Sequence, residues 1–185
     1  MKKLFFLSAI AALSTIFFSC KKEAAKAENA VETGTVAELI KGKSINVAGF
    51  WFNYEMGMRF KSLAKGNIKS LKINLPVTGK KLITLWKASD RSVVYSHTID
   101  CSVINSWDNN LDVDILIDPN TEYIISTNTL QYYSFATSVG LLPFLKGNIM
   151  LLGCSYKVGS AQVFPDVLNN SYIQGFVDFT FQKSM

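Results

Sequence analysis

The sequence predicts an all-β protein, an antiparallel sandwich of roughly nine or ten strands, and three observations carry that reading. Apolar residues recur at every second position in several separate stretches. Clusters of Gly, Pro, Asn, Asp and Ser punctuate the chain between those stretches. The composition is rich in aromatics, at 12 %, and poor in charge, at 18 %, a bias that favours strands over helices.

The first segment, residues 1–19, does not belong to that body. Lys2 and Lys3 precede an apolar run from Leu4 to Phe18. The run is shorter than the ~20 residues a membrane-spanning helix needs, and it suits the apolar region of a secretory signal peptide. Ser19 then offers a small residue for cleavage, and Cys20 would begin the mature chain. This junction, "FFSCKKE", resembles the lipobox of bacterial lipoproteins, with Phe17 and Phe18 departing from its commoner small and aliphatic residues. The resemblance implies lipidation of Cys20, and two or more acyl chains anchor a protein stably. The plainer alternative is a secreted protein in which Cys20 is incidental. No Asp follows Cys20, so the expected location is the outer membrane, at the cell surface or on the periplasmic face.

Residues 20–44 read as a tether. The stretch is rich in Ala, Glu and Lys and has no aromatic residue. Thr35 and Glu38 have capping-box spacing and Gly42 follows as a stop signal, so one short helix is expected within it.

Residues 45–185 form the expected sandwich. Leu71, Ile73 and Leu75 alternate with Lys72 and Asn74. Leu111, Val113, Ile115 and Ile117 alternate with Asp112, Asp114 and Leu116. Ile173, Val177, Phe179 and Phe181 alternate with Asp178 and Thr180, and Gly175 interrupts the series. Period-two alternation marks strands with one buried face. Turn signals fall at Lys65-Gly66-Asn67, Thr78-Gly79-Lys80, Asp118-Pro119-Asn120, Lys146-Gly147-Asn148 and Asn169-Asn170. Cys101 and Cys154 are the cysteines beyond Cys20, and they fit either one disulfide or two quiet thiols.

Charge is segregated along the chain. Nine basic residues and one acid lie between Arg59 and Arg91, whereas six acids and no Lys or Arg lie between Ser92 and Leu145. Cross-strand pairing, with Lys72 against Asp112 or Asp114, accounts for this more simply than a basic face for anionic glycans or lipid headgroups. The net charge of +5 is too mild to point to nucleic acid.

A series of residues in "YEMGMRF", "KGNIKSLKI", "LITLWKAS", "DPNTEYIIS", "VFPD" and "FVDFTF" resembles the bacterial domain of unknown function 4082, over about Phe50 to Phe181. The resemblance implies a jelly-roll-like sandwich in an exported, carbohydrate-related setting and assigns no activity. Ser106 stands where the family has Gly before its second Trp, and the segment around Gly79 is short.

Catalysis has little support. His97 is the single histidine and alternates with Tyr95 and Ile99, and no G-x-S-x-G elbow occurs. Glu55 with Asp108 or Asp178 would be needed for a glycosidase pair, and nothing in the sequence brings them together. Asp108, Asn110, Asp112 and Asp114 offer oxygens at alternate positions, but Val113 and Pro119 occupy the places where a calcium loop has Gly and Glu. No metal and no cofactor is therefore expected. Aromatics are the best binding candidates, because the apolar face of a sugar ring stacks on them. Trp51, Trp86, Trp107, Tyr132 and Tyr133 are available. Trp107 stands beside Asp108, Asn109 and Asn110, which can bond sugar hydroxyls, so the expected ligand residues are Trp107, Asp108, Asn109, Asn110, Tyr132 and Tyr133. The apolar stretch from Val139 to Gly153, broken by Pro143, reads as a loop feeding a core strand or as a patch for an envelope protein partner. The function expected from all this is a lipid-anchored binding or display domain without enzymatic activity, recognising a glycan or an envelope partner; the alternatives are a structural interaction protein in an outer-membrane complex and, after it, a glycan-active hydrolase.

Overall fold

The structure is a computed structural model and describes residues 30–49, 51–138, 140–160 and 162–184. The expected signal peptide and Cys20 lie outside the described residues. What is described is almost all strand: one five-residue helix, α1 (Thr35–Leu39), precedes thirteen strands. They are β1 (Asn46–Ala48), β2 (Tyr54–Ser62), β3 (Gly66–Ile73), β4 (Gly79–Lys87), β5 (Val93–Cys101), β6 (Asn109–Ile117), β7 (Glu122–Thr129), β8 (Tyr132–Ala136), β9 (Phe144–Lys146), β10 (Ile149–Val158), β11 (Val167–Asn169), β12 (Tyr172–Gln174) and β13 (Val177–Lys183). Nine of them have five residues or more, which is the number the alternation makes visible; the other four are three-residue pieces too short to show a period.

All strand pairs between these elements are antiparallel. A large sheet runs β11-β10-β2-β7-β4-β5, with β9 also on β10. Two small sheets, β13-β3-β6 and β1-β8-β12, lie against it. β13 packs across β2 and β7, and β12 across β10 and β2. The core fills the space between. Met56, Met58 and Phe60 from β2, Ile83 and Leu85 from β4, and Ile149, Leu151 and Cys154 from β10 face Val177, Phe179 and Phe181 of β13. Phe60 sits at the centre, 4.5 Å from the Phe179 ring and 5.9 Å from that of Tyr123. Truncating such a side chain costs about 3–5 kcal/mol.

Gly57 holds β2 and β7 close. A methyl group there would lie 1.8 Å from the Ile125 carbonyl oxygen, so any larger residue would force the two central strands apart. Gly175, at φ +61, turns the chain from β12 in one small sheet to β13 in the other. That is the interruption visible in the sequence.

Three expectations need correction. The tether of residues 20–44 is not a spacer over its described part. Glu32 pairs with Phe181, and Val36, Leu39 and Ile40 are buried in the core cluster. The helix is real, but Thr35 does not cap it; Gly34 precedes it and the cap comes from the distant Asp178. Asp114 pairs with Lys69, at 2.9 Å, and not with Lys72. A register shift between Ile68 and Ser70 moves Lys69 into reach and sets Lys72 opposite Asn110. Of the two states left open for Cys101 and Cys154, the quiet thiol is the one found: both are free and buried. They lie on β5 and β10, four strand steps apart in one sheet, or ~19 Å, and a disulfide needs Cα atoms within ~7 Å.

Candidate functional site

The expected ligand residues divide into two places. Trp107 stacks on Phe176, with ring centroids 6.3 Å apart and planes 17° from parallel, so the core covers one of its faces. Asp108 accepts a hydrogen bond from the Ser106 hydroxyl, and Asn110 donates to the Asp108 carbonyl, both at the surface. Asn109 is buried: its oxygen accepts from the backbone of Ser102 and Val103, and its amide donates to the carbonyls of Val103 and Ser106. It closes the loop between β5 and β6. Tyr132 and Tyr133 are each 8 % exposed. Tyr133 packs on the same Phe176 as Trp107, and Tyr132 meets the edge of Tyr54. The group is therefore joined through the core, not across a surface. The edge of Trp107 opens to a hollow of ≈ 250 Å³ that Lys41, Lys72 and Lys146 share with it.

The exposed aromatic residues are elsewhere. Trp51 is 86 % exposed and Phe52 62 % exposed, in the loop between β1 and β2. With Leu130, Val158, Asn53, Gly159 and Ser160 they line a hollow of ≈ 470 Å³. The loop is held from behind. The Gly159 N–H donates to the Asn53 carbonyl at 3.0 Å, and the Asn128 amide donates to the Gly159 carbonyl at 2.9 Å. Sequence reading places Trp51 among the available aromatics but has no means of showing it exposed, because a loop residue takes no part in the alternation that reports burial.

Behind this hollow, on the side of the large sheet away from the core, lies a buried polar network. Glu55, on β2, is 1 % exposed. Its Oε1 accepts a 2.5 Å hydrogen bond from the Ser126 hydroxyl, which in turn accepts from Trp86 Nε1 at 2.8 Å. Its Oε2 is buried and lacks a hydrogen bond of good geometry, with Asn128 opposite it in register. Burial pushes the Glu55 carboxyl up to about 7, against a smaller downward pull from Ser126 and Asn128. The segment 159–166 straps this face. Gln162 donates to the hydroxyls of Thr84 and Ser96, and Phe164 meets Trp86 edge-on. Trp86, one of the available aromatics, is buried on the side of the sheet away from the core, beneath the strap.

Carboxylates do not converge in the described residues. Asp178 is buried beneath α1 on the outer side of the β13-β3-β6 sheet, while Glu55 is on the outer side of the other layer, so the body of the sandwich separates them. No group of three or more His, Cys, Asp or Glu able to hold a metal occurs among the described residues. His97 lies exposed on the edge strand β5 with its ring against Tyr95. The Leu141 to Leu145 stretch is also not a continuous apolar surface: Leu141, Leu142 and Phe144 pack against the core, and Pro143 and Leu145 are exposed between them. No helix of the described residues is long and apolar enough to cross a membrane.

In comparisons with known proteins, no family model matches the chain, and no curated protein is detectably similar to it.

Proposed function

We propose that the chain is an exported, lipid-anchored binding domain that works without catalysis and presents the Trp51–Phe52 tip to the apolar face of a glycan. The observation that carries this reading is the exposure of Trp51 and Phe52 beside the polar groups of Asn53 and Ser160. Two adjacent large aromatics left in water by a chain with ample core to bury them mark a contact surface. Aromatic rings supply the stacking area, and the amide and hydroxyl supply hydrogen bonds that fix orientation.

The direction of the chain supports display. The described residues begin beside Phe181, at the end of the sheets that carries Ser62, Gly66 and Lys183. Trp51 and Phe52 lie at the other end, beyond Tyr54, Thr129 and Val158. β2 alone spans nine residues between the two ends, about 30 Å. An anchor at Cys20 would therefore hold the tip away from the membrane.

Screening the protein against a glycan array tests the reading. Binding is expected, and Trp51→Ala should weaken it tenfold or more, since truncating a central aromatic costs about 1.4 kcal/mol or more. Trp107→Ala is the control for the second aromatic hollow. Binding lost in Trp107→Ala and kept in Trp51→Ala would move the site there. An array without any binding would remove the glycan reading.

A further inference from the structure

We infer that a second hollow, at the opposite end of the large sheet, is a binding site for an oxyanion of the phosphate or sulfate monoester class. It has a volume of ≈ 350 Å³ and is lined by Arg59, Lys87, Ala88, Ser89, Asn120, Thr121 and Glu122. That size lies at the low end of ligand sites, ~300–1,000 Å³, and suits one charged head group with part of its carrier.

Arg59 is the reason. It projects from β2 on the side away from the core, opposite Ile124 of β7 and Gly153 of β10. Its side chain is three-quarters buried, yet its Nε is fully covered and lacks a hydrogen bond. The nearest carboxylate oxygen, on Glu122, is 3.7 Å from Nε, an ion pair too long for hydrogen bonding. An Nε–H that has given up water without gaining an acceptor is costly, and the planar fork it belongs to matches a tetrahedral or planar oxyanion.

The other walls agree with this. Lys87 ends β4 and enters the same hollow, with no carboxylate of the described residues within 4 Å. By contrast Lys69, Lys146 and Lys157 each hold a carboxylate within 4 Å. The adjacent acid, Asp90, is engaged with Ser92, its Oδ1 accepting from both the backbone and the hydroxyl, while its charge also reaches Lys87. The hydroxyls of Ser89 and Thr121 and the amide of Asn120 add neutral donors. Among the lining residues two cations stand against one carboxylate, with donors between them. Asn120 is held at φ +58, and its N–H donates to the Ser62 carbonyl at 2.7 Å, so this wall is fixed before any ligand arrives.

Calorimetric titration of the full-length chain at constant ionic strength tests the site. Inorganic phosphate, dihexanoyl phosphatidic acid and glucose 6-phosphate are the probes; the last two separate a lipid from a glycan carrier. Saturable binding to at least one is expected. Lys87→Ala should weaken it fivefold or more, Arg59→Gln should abolish it, and Lys80→Ala, a basic residue at the other end of β4, should leave it unchanged. Circular dichroism checks that each variant is folded, and Lys87→Ala carries the test if Arg59→Gln is not. Non-saturable heats for all three probes, or equal losses in Lys80→Ala and Lys87→Ala, would overturn the site.

Discussion

Asp178 and Glu55 both leave a strand on the side away from the core, and both end up beneath a covering segment, yet the two covers treat their carboxylates differently. Over Asp178 lies the N-terminal segment with α1. Its backbone N–H groups at Thr35 and Ala37 donate to the two carboxylate oxygens at 2.9 and 2.8 Å, and Phe179 adds a third at 2.9 Å. Over Glu55 lies the strap, whose described residues supply no backbone donor; the Ser126 hydroxyl donates to the carboxylate, and the Asn128 side chain adds a further pull. Burial raises both carboxyls. At Asp178 the backbone N–H groups of Thr35, Val36, Ala37 and Phe179 oppose the rise, and the carboxyl works as a clamp that fixes the helix start in place of a local cap. At Glu55 little opposes it, and the residue becomes a proton-binding group near neutral pH. The lesson is that burial alone does not set the role of an acid; the number of donors its cover brings does.

The sharpest way to break the comparison is Asp178→Ala. It leaves buried N–H groups at both ends of the clamp without an acceptor, each worth about 1–3 kcal/mol, so a loss on the order of 3–5 kcal/mol is expected in denaturant unfolding. Hydrogen exchange should show the amides of Thr35 and Ala37 losing protection before those of β2. Stability lost with no change in that exchange would mean the clamp is not what holds the segment.

Next in size is Glu55→Gln, with a sign fixed by linkage. The folded pKa of about 7 lies above the ordinary value of 4.5. The unfolded chain releases this proton first as pH rises, so the contribution of Glu55 is fully present below pH 4.5 and is lost by about pH 7. The shift corresponds to about 3 kcal/mol. Glu55→Gln should remove that part of the decline and raise Tm at pH 8 by about 5–10 °C, with little gain at pH 4. Thermal unfolding at the two pH values decides it; equal Tm changes at both would show that Glu55 does not titrate as its burial requires.

The smallest effect sharpens the contrast from outside. Asp114 is an acid in the open, bonded to Lys69 and Asn67. Those partners hold its carboxyl below the usual carboxylate range. Asp114→Ala should leave Tm at pH 7 within experimental error, because exposed pairs are screened. A large drop would mean that cover is not the deciding variable.

Most of the sandwich was legible because alternation reports which side of a strand faces the core. Leu71 and Ile73, Ile115 and Ile117, and Val177, Phe179 and Phe181 all face inward as their spacing predicts. The same pattern is silent about the other side. In Val177 to Phe181, Asp178 and Thr180 read as outward and so as wet, and the alternation contains nothing to say that residues 30–45 return to cover Asp178. Glu55 fails for the same reason, since its cover arrives from the strap, about a hundred residues later. Trp107 and its polar neighbours looked like a site because the turn composition was right. Whether an aromatic beside a turn faces water depends on a partner, here Phe176, that lies far away in the chain.

The thiol of Cys154 has its own consequence. It sits in the core against β2, and burial pushes it up to about 12. The reactive sulfur anion is therefore scarce at neutral pH, and the buried thiol has no exposed surface for an oxidant to meet while the sheet is closed. The folded sandwich thus shields this one thiol from oxidants, and its vulnerability is confined to the interval before the chain closes. Speed of folding, more than any bond, protects this sulfur.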